Sequence, residues 1–297
     1  MILGFLDYLK RKEVKFTENK RLSELSSARI GGEGRLVVSP KCRGELITVL
    51  EYLDSHTVDY KVVGGCSNIL FPDGKTDKII VKTSGLADFS AEGVAVTAET
   101  GVSLSALSRS LARAGLSGLE ELSGIPGTVG GATVGNAGAY GREICELVEV
   151  AELYDREACR VITLSQADLG FGYRTSILKS GRFVLLSVRL KAREHSSAAC
   201  LMHIGEITEA RRKSQPKEPS LGSTFKRPPG GYASRMIDLC GLKGRACGGA
   251  KFSEKHAGFI VNACGATAKD YLSLAALAQK EVLRKFGVLL ELEIDVF

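Results

Sequence analysis

Tryptophan is absent from the 297-residue chain, so no Trp-based stacking platform for bases or sugars exists. The eight cysteines, at 42, 66, 145, 159, 200, 240, 247 and 264, form no C-x-x-C pair, and the four histidines are scattered. That leaves neither a disulfide framework nor a zinc-binding spacing; reduced thiols and no metal are the expectation. No apolar run approaches the roughly 20 residues of a membrane-spanning helix. The opening Met1–Lys10 is interrupted by Asp7 and lacks a small-residue cleavage site. It reads as a short amphipathic helix rather than a signal peptide, which points to a cytoplasmic protein with no membrane partner. A basic tract is missing too: 40 Lys and Arg are interleaved with 34 Asp and Glu for a net charge of +6. The pattern argues against a nucleic-acid partner. The excess suits small anionic ligands, such as dinucleotides or sugar nucleotides.

What is present fits an ordinary folded protein, with 44% hydrophobic and 25% charged residues and length for two or three domains. Apolar spacing predicts helices over 46–55, 105–114, 202–213 and 268–286, the second stopped by Gly115. Strands are predicted at Tyr60–Val63, Lys78–Lys82, Val94–Ala98, Val148–Tyr154 and Phe183–Lys191, and an alternating one at Val288–Val296. Ser214–Gly231 holds four prolines among polar residues, and the character of the chain changes near residue 194. The expected architecture is α+β: two cofactor subdomains at 1–84 and 85–194, then a substrate domain at 195–297. The terminal strand 288–297 would return toward the active site.

Two glycine loops stand out. Gly64-Gly65-Cys66-Ser67-Asn68 directly follows a strand, where adjacent glycines allow close backbone approach to a ligand and successive N–H groups can line an anion site. A tight turn would explain it equally well. The second loop, 123–141, carries seven glycines and a proline, too many for regular structure. A loop that long is functional or disordered, and Ile125, Val129 and Val134 argue against disorder. Backbone wrapped around a pyrophosphate is the economical reading. Neither loop fits the G-x-G-x-x-G or G-x-x-x-x-G-K-[ST] fingerprints.

Taken together, Val-Gly-Gly-x-Ser-Asn at 63–68, Gly-Ile-Pro-Gly-Thr-Val-Gly-Gly at 124–131, Asn-Ala-Gly-Ala-Tyr-Gly at 136–141 and Ala-Arg-Ile-Gly-Gly at 28–32 resemble the UDP-N-acetylenolpyruvoylglucosamine reductases. These are flavoproteins of bacterial cell-wall synthesis with a vanillyl-alcohol-oxidase-like (PCMH-type) FAD fold. The resemblance runs from about residue 28 to 293. It implies that FAD is held by Arg29, Ile30, Gly31, Gly64, Gly65, Cys66, Ser67, Asn68, Gly124, Pro126, Gly127, Thr128, Gly130, Gly131, Asn136, Ala137 and Gly138. It implies NADPH as reductant, UDP-N-acetylglucosamine enolpyruvate as substrate, and a monomer.

Hydride addition to an enolpyruvyl ether builds negative charge toward the carboxylate and then needs a proton at the adjacent carbon. Arg174, in Tyr-Arg-Thr-Ser, matches the family's catalytic arginine, and its planar fork suits a carboxylate. Ser223, in Gly-Ser-Thr-Phe, matches the family's proton donor; by itself it is a turn serine. Glu293 matches the family's terminal Glu-Val-Arg, although Asp295 stands in place of Arg and alternation alone makes 291, 293 and 295 a solvated acidic face. Ser214 stands where the family carries a lysine that touches the substrate diphosphate; the preceding Arg211, Arg212 or Lys213 could substitute, although helical cations read by default as a solvated face. His256 reads as structural. The short span between Arg174 and Ser223 resembles the family's compact subtype. One alternative is an FAD oxidase of the same fold acting on another small substrate, with Cys66 the candidate for a covalent flavin link. Another is a nucleotide-binding protein without catalysis, which would not need Arg174, Ser223 and Glu293.

Overall fold

The computed structural model describes residues 2–297; Met1, the first residue of the expected N-terminal helix, lies outside them. The chain forms two compact units. The first comprises 1–18, 36–65 and 78–209, and the second 19–35, 66–77 and 210–297. Two N-terminal stretches, 19–35 and 66–77, thus group with C-terminal residues.

In the first unit, helices α1 (Ile2–Arg11) and α2 (Arg43–Ser55) pack on parallel strands, with Val37 beside Ile80 and Tyr60 beside Ile79. Phe5, Leu9, Leu46, Leu50 and Leu53 on these helices are fully buried against Leu36, Val38 and Val81. The apolar i, i+3/i+4 spacing on α2 supplies that face. A second, antiparallel sheet has the order 160–165, 148–155, 183–191, 95–99, 89–92. Its core is closed by Leu104, Leu107 and Leu111 of helix α3 (Leu104–Arg113), whose N-cap is Ser103. A short helix α4 (Val129–Val134) packs there as well. Helix α5 (Ser197–Ser214) begins earlier than its apolar pattern predicts and runs past the division at residue 209.

In the second unit, an antiparallel sheet has the order 220–223, 259–262, 250–252, 246–247. Helices α6 (Ala233–Leu239) and α7 (Ala268–Phe286) share its core with Ala28, Ile30 and Leu70. Helix α7 starts in a Thr267/Asp270 capping box. Asp73 adds a second carboxylate there, accepting from the Ala268 and Lys269 N–H groups at 2.5 and 3.0 Å. That cap explains why 66–77 belongs to this unit.

Two expectations are corrected. The segment 123–141 is not free of regular structure: it contains α4 and a tight hairpin at 138–143. Glycine is required in α4, since a side chain at Gly130 would collide with Thr100. Tyr140 and Gly141, both left-handed, form the hairpin turn. The terminal segment is also not one continuous strand. Only Asp295–Val296 pairs regularly, parallel to Ile69–Leu70, and Leu292 makes an isolated bridge with Phe225. Burial of Leu290 and Ile294, and capture of the Leu290 carbonyl by Gln279, hold the rest as irregular chain.

Candidate active site

In the first unit the two glycine loops meet backbone to backbone. A Cβ on Gly65 would lie 2.8 Å from the Gly127 Cα, and one on Gly64 would lie 2.5 Å from the Thr128 hydroxyl. Gly127 is left-handed at φ 115°, a conformation that side chains resist. The glycines are therefore needed first for loop-on-loop packing.

The start of α4 is not the anion site that a helix N-terminus could be. The Val129 and Gly130 N–H groups each donate at 2.8 Å, to the Val102 and Thr100 carbonyls. The Gly131 N–H donates to the Thr128 hydroxyl at 3.2 Å. Donors remain just upstream: among the described residues, the N–H groups of Gly65, Gly127 and Thr128 have no backbone acceptor. Ser123, at 2% exposure, buries a hydroxyl that has no protein partner among the described residues. Unsatisfied N–H donors on the two packed loops fit a dinucleotide diphosphate.

Asn136, fully buried, turns its carboxamide inward. It donates to Glu143 Oε2 at 2.8 Å and to the Gly172 carbonyl at 3.0 Å, and it accepts from the Cys145 N–H at 3.2 Å. Its side chain is thus spent on the protein. Arg174 is close by, in a left-handed conformation at φ 55°. Its guanidinium donates to the Gly138 carbonyl at 2.9 Å, and the Tyr173 ring centroid is 5.1 Å away.

In the second unit, Ile30 is buried in the core, and a Cβ on Gly31 would press on Phe71, Leu22 and the Ser23 backbone. Only backbone at these two positions is left for a ligand. Arg29 is exposed and left-handed, with its carbonyl and that of Ala28 held by Asn262. Cys66 is buried and left-handed, and its carbonyl accepts from the Ser27 N–H.

Ser223 and Glu293 lie on neighbouring backbone. The Glu293 N–H donates to the Thr224 carbonyl at 2.9 Å, and the Lys226 N–H to that of Glu291 at 2.9 Å. Gly222, left-handed, interrupts the register just before Ser223. The Thr224 hydroxyl is anchored to buried Tyr271 at 2.9 Å. Half-buried Ser223 therefore sits between a bulge and an anchor. His256 accepts from the Gly258 N–H at 3.2 Å, and burial holds its imidazole below the usual range, as befits a neutral structural group. Arg211–Lys213 fall in the last turn of α5, and Lys255 donates to the Arg212 carbonyl.

Arg174 belongs to the first unit, and Ser223 and Glu293 to the second. Thr100 and Glu143 were not legible as site residues. Nothing in their local sequence marks them, and only the folded chain brings them to the loops.

Residues 35–164 match the FAD binding domain family, and residues 215–297 the family described as UDP-N-acetylenolpyruvoylglucosamine reductase, C-terminal domain. The chain is 43% identical to the UDP-N-acetylenolpyruvoylglucosamine reductase of Caldicellulosiruptor bescii, across 99% of this chain and 94% of that one. The enzyme of that name from Caldanaerobacter subterraneus is 40% identical, across 96% and 94%. Among solved structures, the Thermus caldophilus UDP-N-acetylenolpyruvylglucosamine reductase superposes with a TM-score of 0.81 at 34% identity, covering 96% of this chain and 98% of the other.

Proposed function

The chain belongs to the UDP-N-acetylenolpyruvoylglucosamine reductase family, and on that footing we propose that it reduces UDP-N-acetylglucosamine enolpyruvate to UDP-N-acetylmuramate for peptidoglycan synthesis, with NADPH as reductant. FAD, when bound, would supply the hydride chemistry between NADPH and the enolpyruvyl methylene carbon. The remaining work falls to the protein's own residues.

Gly65, Gly127 and Thr128 present N–H donors to the diphosphate. Arg174 clamps the substrate carboxylate as negative charge builds on it. Ser223 donates the proton to the adjacent carbon, and Glu293 stands across the Thr224 backbone to hold that hydroxyl and its proton in line. The observation that carries this assignment is the Glu293–Thr224 hydrogen bond, which sets acid and carboxylate on adjoining backbone.

The reading also takes residues 1–194 as the cofactor part, subdivided near 84, and 195–297 as the substrate part. The protein would act as a cytoplasmic monomer without nucleic-acid or membrane partners. In support, charges of both signs are interleaved, and no described helix is long and apolar enough to cross a membrane. The test is production of UDP-N-acetylmuramate from the enolpyruvate with NADPH; consumption of NADPH without that product would overturn the assignment.

A further inference from the structure

We propose that Glu143 is a positioning residue for Arg174: together with Asn136 it fixes the guanidinium in the orientation that receives the substrate carboxylate. The inference rests on the role of Arg174 given above and adds what holds it. Glu143 Oε1 lies 4.0 Å from the Arg174 guanidinium, while Oε2 accepts from Asn136 at 2.8 Å. Asn136 in turn donates to the Gly172 carbonyl, two residues before Arg174, at 3.0 Å. Its own carbonyl lies 3.5 Å from the guanidinium. The carboxylate thus meets Arg174 at ion-pair distance and reaches Gly172, at the other end of the turn, through Asn136.

Space for this arrangement comes from Gly138. A Cβ there would fall 2.9 Å from the Glu143 side chain and 3.2 Å from the Arg174 guanidinium. Arg174 also keeps a left-handed backbone, at φ 55°, a strained choice for a long side chain and one that persists only where surroundings enforce it. A bare salt bridge would need none of this. Asn136 is fully buried, so the network it anchors is fixed rather than a solvated surface pair.

The arrangement has a consequence for affinity. A bound substrate carboxylate and the Glu143 carboxylate then share one guanidinium. Glu143 orients the fork but opposes the incoming charge, so orientation is gained at the expense of ground-state binding.

The experiment compares wild type, Glu143→Ala and Glu143→Gln as flavin-loaded proteins. Both half-reactions are followed by stopped flow, the affinity for the enolpyruvyl substrate by calorimetry, and Tm by scanning. Glu143→Ala is expected to slow oxidation by the enolpyruvyl substrate by about 100-fold, the scale of a misplaced catalytic group, while NADPH reduces the flavin at the wild-type rate. Glu143→Gln retains the Asn136 contact without the charge. It should recover most of the rate and bind substrate more tightly than wild type. Oxidation at the wild-type rate in Glu143→Ala, equal losses in both half-reactions with a lowered Tm, or Glu143→Gln binding substrate no more tightly would each overturn the proposal. A wild-type protein that fails to turn over the enolpyruvate would contradict the functional reading instead.

Discussion

Asn68 and Glu293, 225 positions apart in sequence, are joined directly: the Asn68 carboxamide donates to the Glu293 carbonyl at 3.0 Å. The Asp295 N–H returns to the Asn68 carbonyl at 2.8 Å. Asn68 of the first glycine loop thus fixes the terminal segment that carries the candidate carboxylate. Asn68→Ala should cost about 1 kcal/mol of stability, the net worth of one hydrogen bond. Beyond that, it should slow the enolpyruvate half-reaction more than the NADPH half-reaction. A thermal melt paired with stopped flow checks both, and equal slowing of the two steps would separate Asn68 from Glu293.

The glycine loops make a second prediction. Valine at 65 would drive its Cβ into the Gly127 backbone, and valine at 127 would have to adopt a left-handed φ. Either variant should be purified without its yellow colour, whereas wild-type protein should give up all of its flavin on acid precipitation. Flavin left in the precipitate of wild type would favour the oxidase reading through Cys66. Flavin retained by both valine variants would show that these loops are not the cradle.

Ser223→Ala separates the chemical steps. Flavin reduction by NADPH needs no donor at 223 and should proceed normally. The step with enolpyruvate should slow by about 10²–10⁴-fold, the usual value of a general acid. Arg174→Lys keeps the charge without the fork and should impair the same step. Stopped-flow traces of the two half-reactions decide the matter; a defect confined to the NADPH step would remove Ser223 from its role.

His203, on α5, faces Glu206 at 3.3 Å and Glu121 at 3.5 Å. The hydrogen bond to Glu206, aided by Glu121, raises its pKa above the usual value against the opposing effect of burial. A raised folded value stabilises the protein fully below the unfolded pKa of about 6.5, and that stability is lost as pH rises through the folded value. His203→Gln should therefore lower Tm most on the acidic side, with the gap to wild type closing as the solution becomes basic. A constant gap across that range would exclude the ion pairs as its source.

How much of this was legible beforehand depended on the distance between partners. The span of α7 follows from its apolar spacing and its Thr267/Asp270 start, both local signals. Helix α4 was hidden because its Gly130 answers to Thr100, a tertiary neighbour. Alternation over 288–296 suggested a strand, yet pairing is set by Asn68 and Thr224, far away in sequence. Arg174, Ser223 and Glu293 stood out through their motifs. Asn136 stood out for the same reason, but its carboxamide proves to be spent on Glu143 and Gly172, which no spacing could reveal.

NADPH-reduced protein mixed anaerobically with UDP-N-acetylglucosamine enolpyruvate, with the flavin absorbance recorded, should show rapid return of the oxidised flavin spectrum and one equivalent of UDP-N-acetylmuramate. Flavin that stays reduced until oxygen is admitted would contradict the proposed function.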